Sequence, residues 1–234
     1  ISSKILGFTS ELTISCDVLY HLIGDDVFIN YLDNLFRMSE KYVIIYSSNF
    51  DLIMAKHVKH RKFTDYIKKK YNFILINYIP QKYNVLNNKP TNDTSFSNFY
   101  IYKKINICIS LTSIYSRQHK LCKTLESILN QSIKPDIIYL NLSENKNLLD
   151  NGFQNRKIDN KGLLDIIKNN KNINILWCKD IGPYTKLLPT LQDLYTNNKE
   201  YLVITIDDDV YYDKDLIRNM IIDYKKEKCV ICYR

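Results

Sequence analysis

The chain has 234 residues, enough for one large domain or two small ones, and its 45% apolar content is that of a globular protein. Its net charge of +8 comes from 33 Lys and Arg spread without a long block of like charge. That argues against a nucleic-acid partner, which draws basic residues into a stripe with interleaved aromatics, and favours an anionic small molecule. No run approaches the roughly eighteen apolar residues of a membrane span, and no charged-then-apolar leader opens the sequence, so the expectation is a cytoplasmic protein with no transmembrane segment.

Residues 12–20 read as a strand entering a loop, and Asp25-Asp26 place negative charge where a helix N-terminus favours it. Val27, Phe28, Tyr31, Leu32, Leu35 and Phe36 then form one apolar stripe. Residues 41–46 (KYVIIY) read as a strand, Ser47-Ser48-Asn49 as its exit loop, and residues 73–79 as another strand after a basic helix. This alternation predicts a mostly parallel sheet. His57 and His60, three apart, would share a face on a helix, but no third ligand lies nearby, so a solvated or substrate-facing basic turn is the better reading.

The run DVLYHLIGDDVFINYLDNLFRMSEKYVIIYSSN, with HVKHR at 57–61, resembles the later half of class I S-adenosylmethionine-dependent methyltransferases. The resemblance puts Asp17, Tyr20 and His21 at the end of that family's fourth strand. The glycine-rich loop and acidic residue that hold the cofactor would lie upstream of Ile1, so S-adenosylmethionine is expected only for an intact upstream domain.

Residues 84–104, rich in Asn, Thr and Ser with one Pro, read as a linker, which gives a first domain over 1–83 and a second over 105–234. In the second, residues 105–111 (INICISL) are an apolar strand, followed by Thr112-Ser113 and a helix opened by Ser116-Arg117. Residues 136–142 make a second strand closed by Ser143-Glu144, and residues 173–178 a third. Gly182-Pro183 is turn chemistry ahead of a helix that begins near Lys186, with Pro189 in its first turn. Residues 201–206 are a fourth strand, ending in Asp207-Asp208-Asp209; a further helix and a fifth strand at 229–234 follow.

Three adjacent carboxylates repel one another, and a divalent cation is the simplest compensation. Asp is also common after strands because it turns the chain, and Asp213 reads as the cap of the next helix. Thr112, Ser113, Arg117, Glu144, Asp180, Lys186 and the Asp triplet all fall at strand carboxyl ends, where open α/β sheets bind ligands. A cation beside Lys and Arg suits a diphosphate. Cys16, Cys108, Cys122 and Cys178 lie in apolar segments as small hydrophobes, and Cys229 and Cys232 would point to opposite faces of a strand. A chain that opens on Ile1 and closes within a core strand is expected to be cut from a longer protein at both ends.

ISLTSIYSR, TLESILNQSIKPDIIYLNLSE, WCKDIGPYTKLLPTL and VITIDDDVYY, in that order, resemble the nucleotide-binding half of a bacterial glycosyltransferase with the GT-A fold. The resemblance implies two Rossmann-like α/β domains, both truncated, and a bifunctional polysaccharide-biosynthesis enzyme. It further implies a nucleotide-diphosphate sugar donor, a glycan acceptor and Mn²⁺ or Mg²⁺ at an Asp-x-Asp motif. Asp209 would ligate the metal, with Asp207 assisting it or touching the ribose. Thr112 and Glu144 would meet the nucleoside, and Lys186 and Asp180 the ribose and diphosphate, alongside Ser113, Arg117 and Asp208. No general base is identifiable. A metal-dependent phosphotransferase or hydrolase, and a non-catalytic nucleotide-binding fragment, are the alternatives.

Overall fold

The computed structural model describes residues 8–83, 85, 94–146 and 149–233. The chain divides into two compact units, Ile1–Lys104 and Ile105–Arg234.

In the first unit, β1 (Ser10–Cys16) leads to α1 (Asp25–Arg37) and β2 (Ser39–Ser47). A hairpin of β3 (Leu52–Ala55) and β4 (Val58–His60) follows, then α2 (Phe63–Lys70), β5 (Phe73–Ile79) and β6 (Asn98–Lys104). α1 buries Phe28, Leu32, Leu35 and Phe36, one helical face, against Val43 and Ile45 of β2. Arg61 fixes the entrance to α1. Its guanidinium donates to the Leu22 and Ile23 carbonyls at 2.6 and 2.7 Å and to Asp25 at 2.8 Å, and it lies over the Phe28 ring.

The sheet order is β1-β2-β6-β5, with β1 and β2 parallel and β6 antiparallel to both its neighbours. The sheet is therefore mixed rather than mostly parallel, because residues 98–104, expected as the end of the linker, form its third strand. Asn98, Tyr100 and Tyr102 alternate inward along NFYIYKK, the period of a strand, and the two tyrosines join the core. The middle of the expected linker, Asn84 and residues 86–93, lies outside the described residues. Two further expectations are corrected here. His57 stands exposed at the turn of the β3–β4 hairpin, but His60, on β4, is buried rather than solvated; Cys16, at the end of an edge strand, is exposed.

The second unit runs β7 (Ile107–Thr112), α3 (Gln118–Leu129), β8 (Ile137–Leu142), α4 (Lys161–Asn169), β9 (Ile173–Trp177), α5 (Leu188–Thr196), β10 (Leu202–Thr205) and α6 (Leu216–Glu227). Its four strands are all parallel, in the order β10-β7-β8-β9. β7 reads as a continuous apolar run because both its faces are covered. Ile107, Ile109 and Leu111 pack with Leu121 and Leu125 of α3 and Ile217 and Ile221 of α6, while Cys108 packs with Tyr139 and Leu194 of α5. Burial pushes the Cys108 thiol up to about 12, so it stays protonated as an apolar filler.

The fifth strand expected at 229–234 does not form among the described residues. Lys228 adopts a left-handed conformation, φ 52°, that ends α6, and residues 229–233 continue irregularly with Cys229 and Cys232 exposed. Apolar composition gives a strand its pattern, but a strand also needs a neighbour to complete its hydrogen-bond ladder. Both units are α/β with parallel strand pairs, as expected for a Rossmann-like architecture.

Candidate functional site

From β7 the second unit's sheet grows through β8 to β9, and the chain then crosses back to lay β10 on the other side of β7. The strand order thus reverses between β7 and β10. In open parallel sheets that reversal leaves a crevice outside the carboxyl ends, because the connections on either side depart to opposite faces. Here the crevice receives Thr112 and Ser113 from β7 and the Asp triplet from β10.

Asp208 is the structural member of the triplet. It is 6% exposed, accepts a hydrogen bond from Ser113 Oγ at 2.5 Å and lies 3.2 Å from Arg117 Nη1. Arg117 closes the 3-10 turn that opens α3, so the turn aims its guanidinium back across the crevice. The same nitrogen is 3.6 Å from Asp209, which also lies 4.0 Å from Lys120 Nζ. Lys120 is one helical turn beyond Arg117, on the same face, and that spacing of two bases was the sequence signal for it. Asp207 pairs with Lys186.

The acidic loop is held from beneath by a polar stripe on α3. Thr124 Oγ1 meets the carbonyls of Asp208 and Val210 at 2.9 and 2.8 Å, and Ser127 Oγ accepts the Tyr212 N–H at 3.1 Å. Just past the helix, Gln131 donates to the Asp213 carbonyl at 2.6 Å and accepts the Ile217 N–H at 3.1 Å. The Tyr212 hydroxyl accepts the Asp207 N–H at 2.9 Å. Burial, reinforced by the three nearby carboxylates, keeps that phenol above its ordinary pKa and therefore protonated.

Lys186 is positioned by a second buried network. Ser110 Oγ donates to the Lys186 carbonyl at 2.5 Å and is met by Thr190 Oγ1 at 2.6 Å and Asn141 Nδ2 at 3.2 Å. All three side chains are fully buried, and they tie the turn before α5 to β7 and β8. That turn begins at Gly182, φ 68°, whose N–H donates to Asp180 at 2.8 Å.

These groups surround a cavity of about 450 Å³. Thr112, Ser113, Arg117, Asp180, Lys186, Asp207 and Asp208, all expected at the site, line it. The expected Asp209 lies at its edge beside Arg117 and Lys120. Glu144 is not among the lining residues: Arg156 draws it away, donating from Nε at 2.7 Å while its guanidinium lies over Trp177. Thr112 lines the cavity with its hydroxyl donating to the Asn141 carbonyl at 2.8 Å, and Asp180 with Oδ1 accepting the Gly182 N–H. The sequence reading missed the wall made by Ile114, Ser143, Leu149 and Phe153. Phe153 is carried there by Gly152, φ 72°, where a Cβ would come within 2.3 Å of the Asn145 carbonyl oxygen. The φ > 0 glycine ahead of an aromatic was the available signal.

No protein-family model matches this chain, and no curated protein matches it. The functional reading therefore rests on the chemistry of the site.

A divalent metal fits that chemistry in one specific way. Asp207 and Asp209 offer hard carboxylate oxygens with side chains 60% and 34% exposed. Among the described residues, no group of three or more His, Cys, Asp or Glu is arranged to hold a cation. Asp207 and Asp209 are the residues that would hold an ion such as Mg²⁺, which takes one or two carboxylates and fills the rest of its shell with phosphate oxygens and water.

In the first unit the polar residues also gather at strand carboxyl ends. Asp17, φ 55°, follows β1 and accepts from Ser97 Oγ at 2.9 Å, while His60 Nδ1 lies 2.5 Å from Ser48 Oγ. The His60 ring packs against Tyr20, Phe50 and Phe96.

Proposed function

We propose that the second unit is the donor-binding half of a glycosyltransferase that takes a nucleotide-diphosphate sugar. The observation that carries this reading is the convergence of Arg117, Lys186, Asp207 and Asp208 on one cavity, with Asp209 beside it, at the point where the sheet order reverses. A lining that combines cationic side chains and carboxylates with apolar and hydroxyl groups suits a ligand that is part strongly charged and part weakly polar. Lys186 and Arg117 would hold the diphosphate and stabilise the charge that develops on it as the sugar departs. Asp207 and Asp209 would hold Mn²⁺ or Mg²⁺, which when bound neutralises part of that same charge. Ser113 and Asp208 fix Arg117, and the Ser110–Asn141–Thr190 network fixes Lys186. The glycan acceptor belongs to the same proposal.

For the first unit we propose a methyltransferase-like role in a bifunctional enzyme. It is supported by the α/β sheet with its one reversed strand and by the cluster of Asp17, Tyr20 and His60 at the strand ends. Among the described residues no helix is long and apolar enough to cross a membrane.

Calorimetric titration of the chain with UDP, GDP and CMP, with and without Mn²⁺, tests the donor reading. The expected outcome is manganese-dependent binding of one nucleotide, lost in Asp209→Ala. Nucleotide binding indifferent to both the metal and the substitution would remove the Asp triplet from the site. Tight Mn²⁺ binding that no nucleotide improves would favour a metal-dependent phosphotransferase or hydrolase.

A further inference from the structure

Resting on that reading of the site, we propose that Lys186, Arg117 and Lys120 are built-in counter-ions of the Asp triplet, which keep divalent cations off it until a diphosphate takes the bases in exchange. Three bases face three carboxylates, and every carboxylate has a basic partner. Lys186 is bonded to Asp207, Arg117 is 3.2 Å from Asp208, and Arg117 and Lys120 are 3.6 and 4.0 Å from Asp209. The cluster is close to neutral as it stands, so the mutual repulsion that would recruit a cation is already relieved.

The pairs differ in how readily they exchange. Asp208, with a side chain 8% exposed, is committed to Ser113 and stays in place. Asp207 and Asp209 are open to solvent, as are Arg117 and Lys120 at 40% and 49% exposure, and pairs of that kind hold weakly. A diphosphate presents more charge and more acceptor oxygens than one carboxylate, and Arg can meet it with two parallel hydrogen bonds. When the bases turn to the phosphates, Asp207 and Asp209 lose their counter-charge and become cation ligands, with phosphate oxygens completing the shell. Metal and diphosphate then bind with reciprocal positive coupling, each raising the affinity of the other by the same factor.

The test measures Mn²⁺ binding to the full chain by the electron paramagnetic resonance of the free ion, without nucleotide, in the wild type, Lys186→Met and Lys120→Met. Met keeps much of the apolar stem and removes only the charge; Lys120 is on the surface, so that variant keeps its fold. Each variant is expected to bind Mn²⁺ alone about twofold to fivefold more tightly than the wild type, the range that a solvent-accessible ion pair contributes, and to bind inorganic pyrophosphate more weakly. Mn²⁺ affinity equal to or below the wild type's in both variants overturns the exchange. The UDP, GDP and CMP titration separates this result from the donor reading. Tighter Mn²⁺ in the variants with no nucleotide bound by any protein would leave the masking standing and remove the donor. Manganese-dependent nucleotide binding with unchanged Mn²⁺ affinity in the variants would do the reverse.

Discussion

Within the Asp triplet, neighbouring residues of one type do different work because burial separates them. Asp208 faces inward and is the acceptor for Ser113 and Arg117, whereas Asp209 faces solvent with only distant partners. Replacing Asp208 with Ala leaves the buried Ser113 hydroxyl without its 2.5 Å acceptor and takes the nearer partner from Arg117, and the second unit is expected to lose about 2 kcal/mol of stability. Asp209→Ala should stay within about 0.5 kcal/mol of the wild type, since it leaves nothing buried without a partner. Urea unfolding followed by tryptophan fluorescence separates the two, because the chain's one Trp, Trp177, belongs to this unit. Equal losses would mean that the triplet acts as one electrostatic patch rather than as one structural and two ligand-facing residues.

At the scale of the element, α3 carries both the core and the site. Its apolar stripe, Leu121, Leu125 and Ile128, packs under the sheet, and Thr124 and Ser127, set between those residues, reach up to the acidic loop. Thr124→Val keeps the shape and removes the bond to the loop, so it is expected to cost about 1 kcal/mol of stability. On the donor reading proposed above it should also weaken Mn²⁺-dependent nucleotide binding several-fold, read by calorimetry; unchanged binding would show that the loop needs no anchor. The strands of the second unit and the residues at their carboxyl ends were legible in the sequence because parallel buried strands are continuous apolar runs with abrupt polar ends. The reversed strand β6 was obscured because its alternating tyrosines follow a stretch rich in Asn, Thr and Ser. Glu144 was misplaced for a different reason. Sequence order locates a residue at a strand end, but its side-chain direction is decided by a partner, Arg156, that arrives twelve positions later.

Among the described residues each unit has its own hydrophobic core, the second unit's lying on both faces of its sheet, so the two units are expected to respond separately to stress. The buried imidazole of His60 provides a handle on the first. Burial, and secondarily the charge of His21, hold its pKa below the ordinary 6.5, so the folded unit keeps it neutral. As pH falls through 6.5 the unfolded chain takes up this proton first, and stability present above that pH is lost below it. Calorimetric melts between pH 8 and 5 should show the first unit's transition falling, with a shallower slope in His60→Gln. A transition that does not move would mean that His60 protonates in place.

The second unit's site also carries a record of how it must be built. The Ser113–Asp208 bond joins residues 95 positions apart, and Arg117 reaches Asp208 across 91. A chain emerging from its N-terminus completes β7, α3, β8 and β9 while Arg117, Lys120 and Lys186 still await their acidic partners. The last strand to dock delivers the charges that quiet those three bases. A chain made only as far as β9 therefore holds those three bases without the carboxylates that pair with them in the finished sheet.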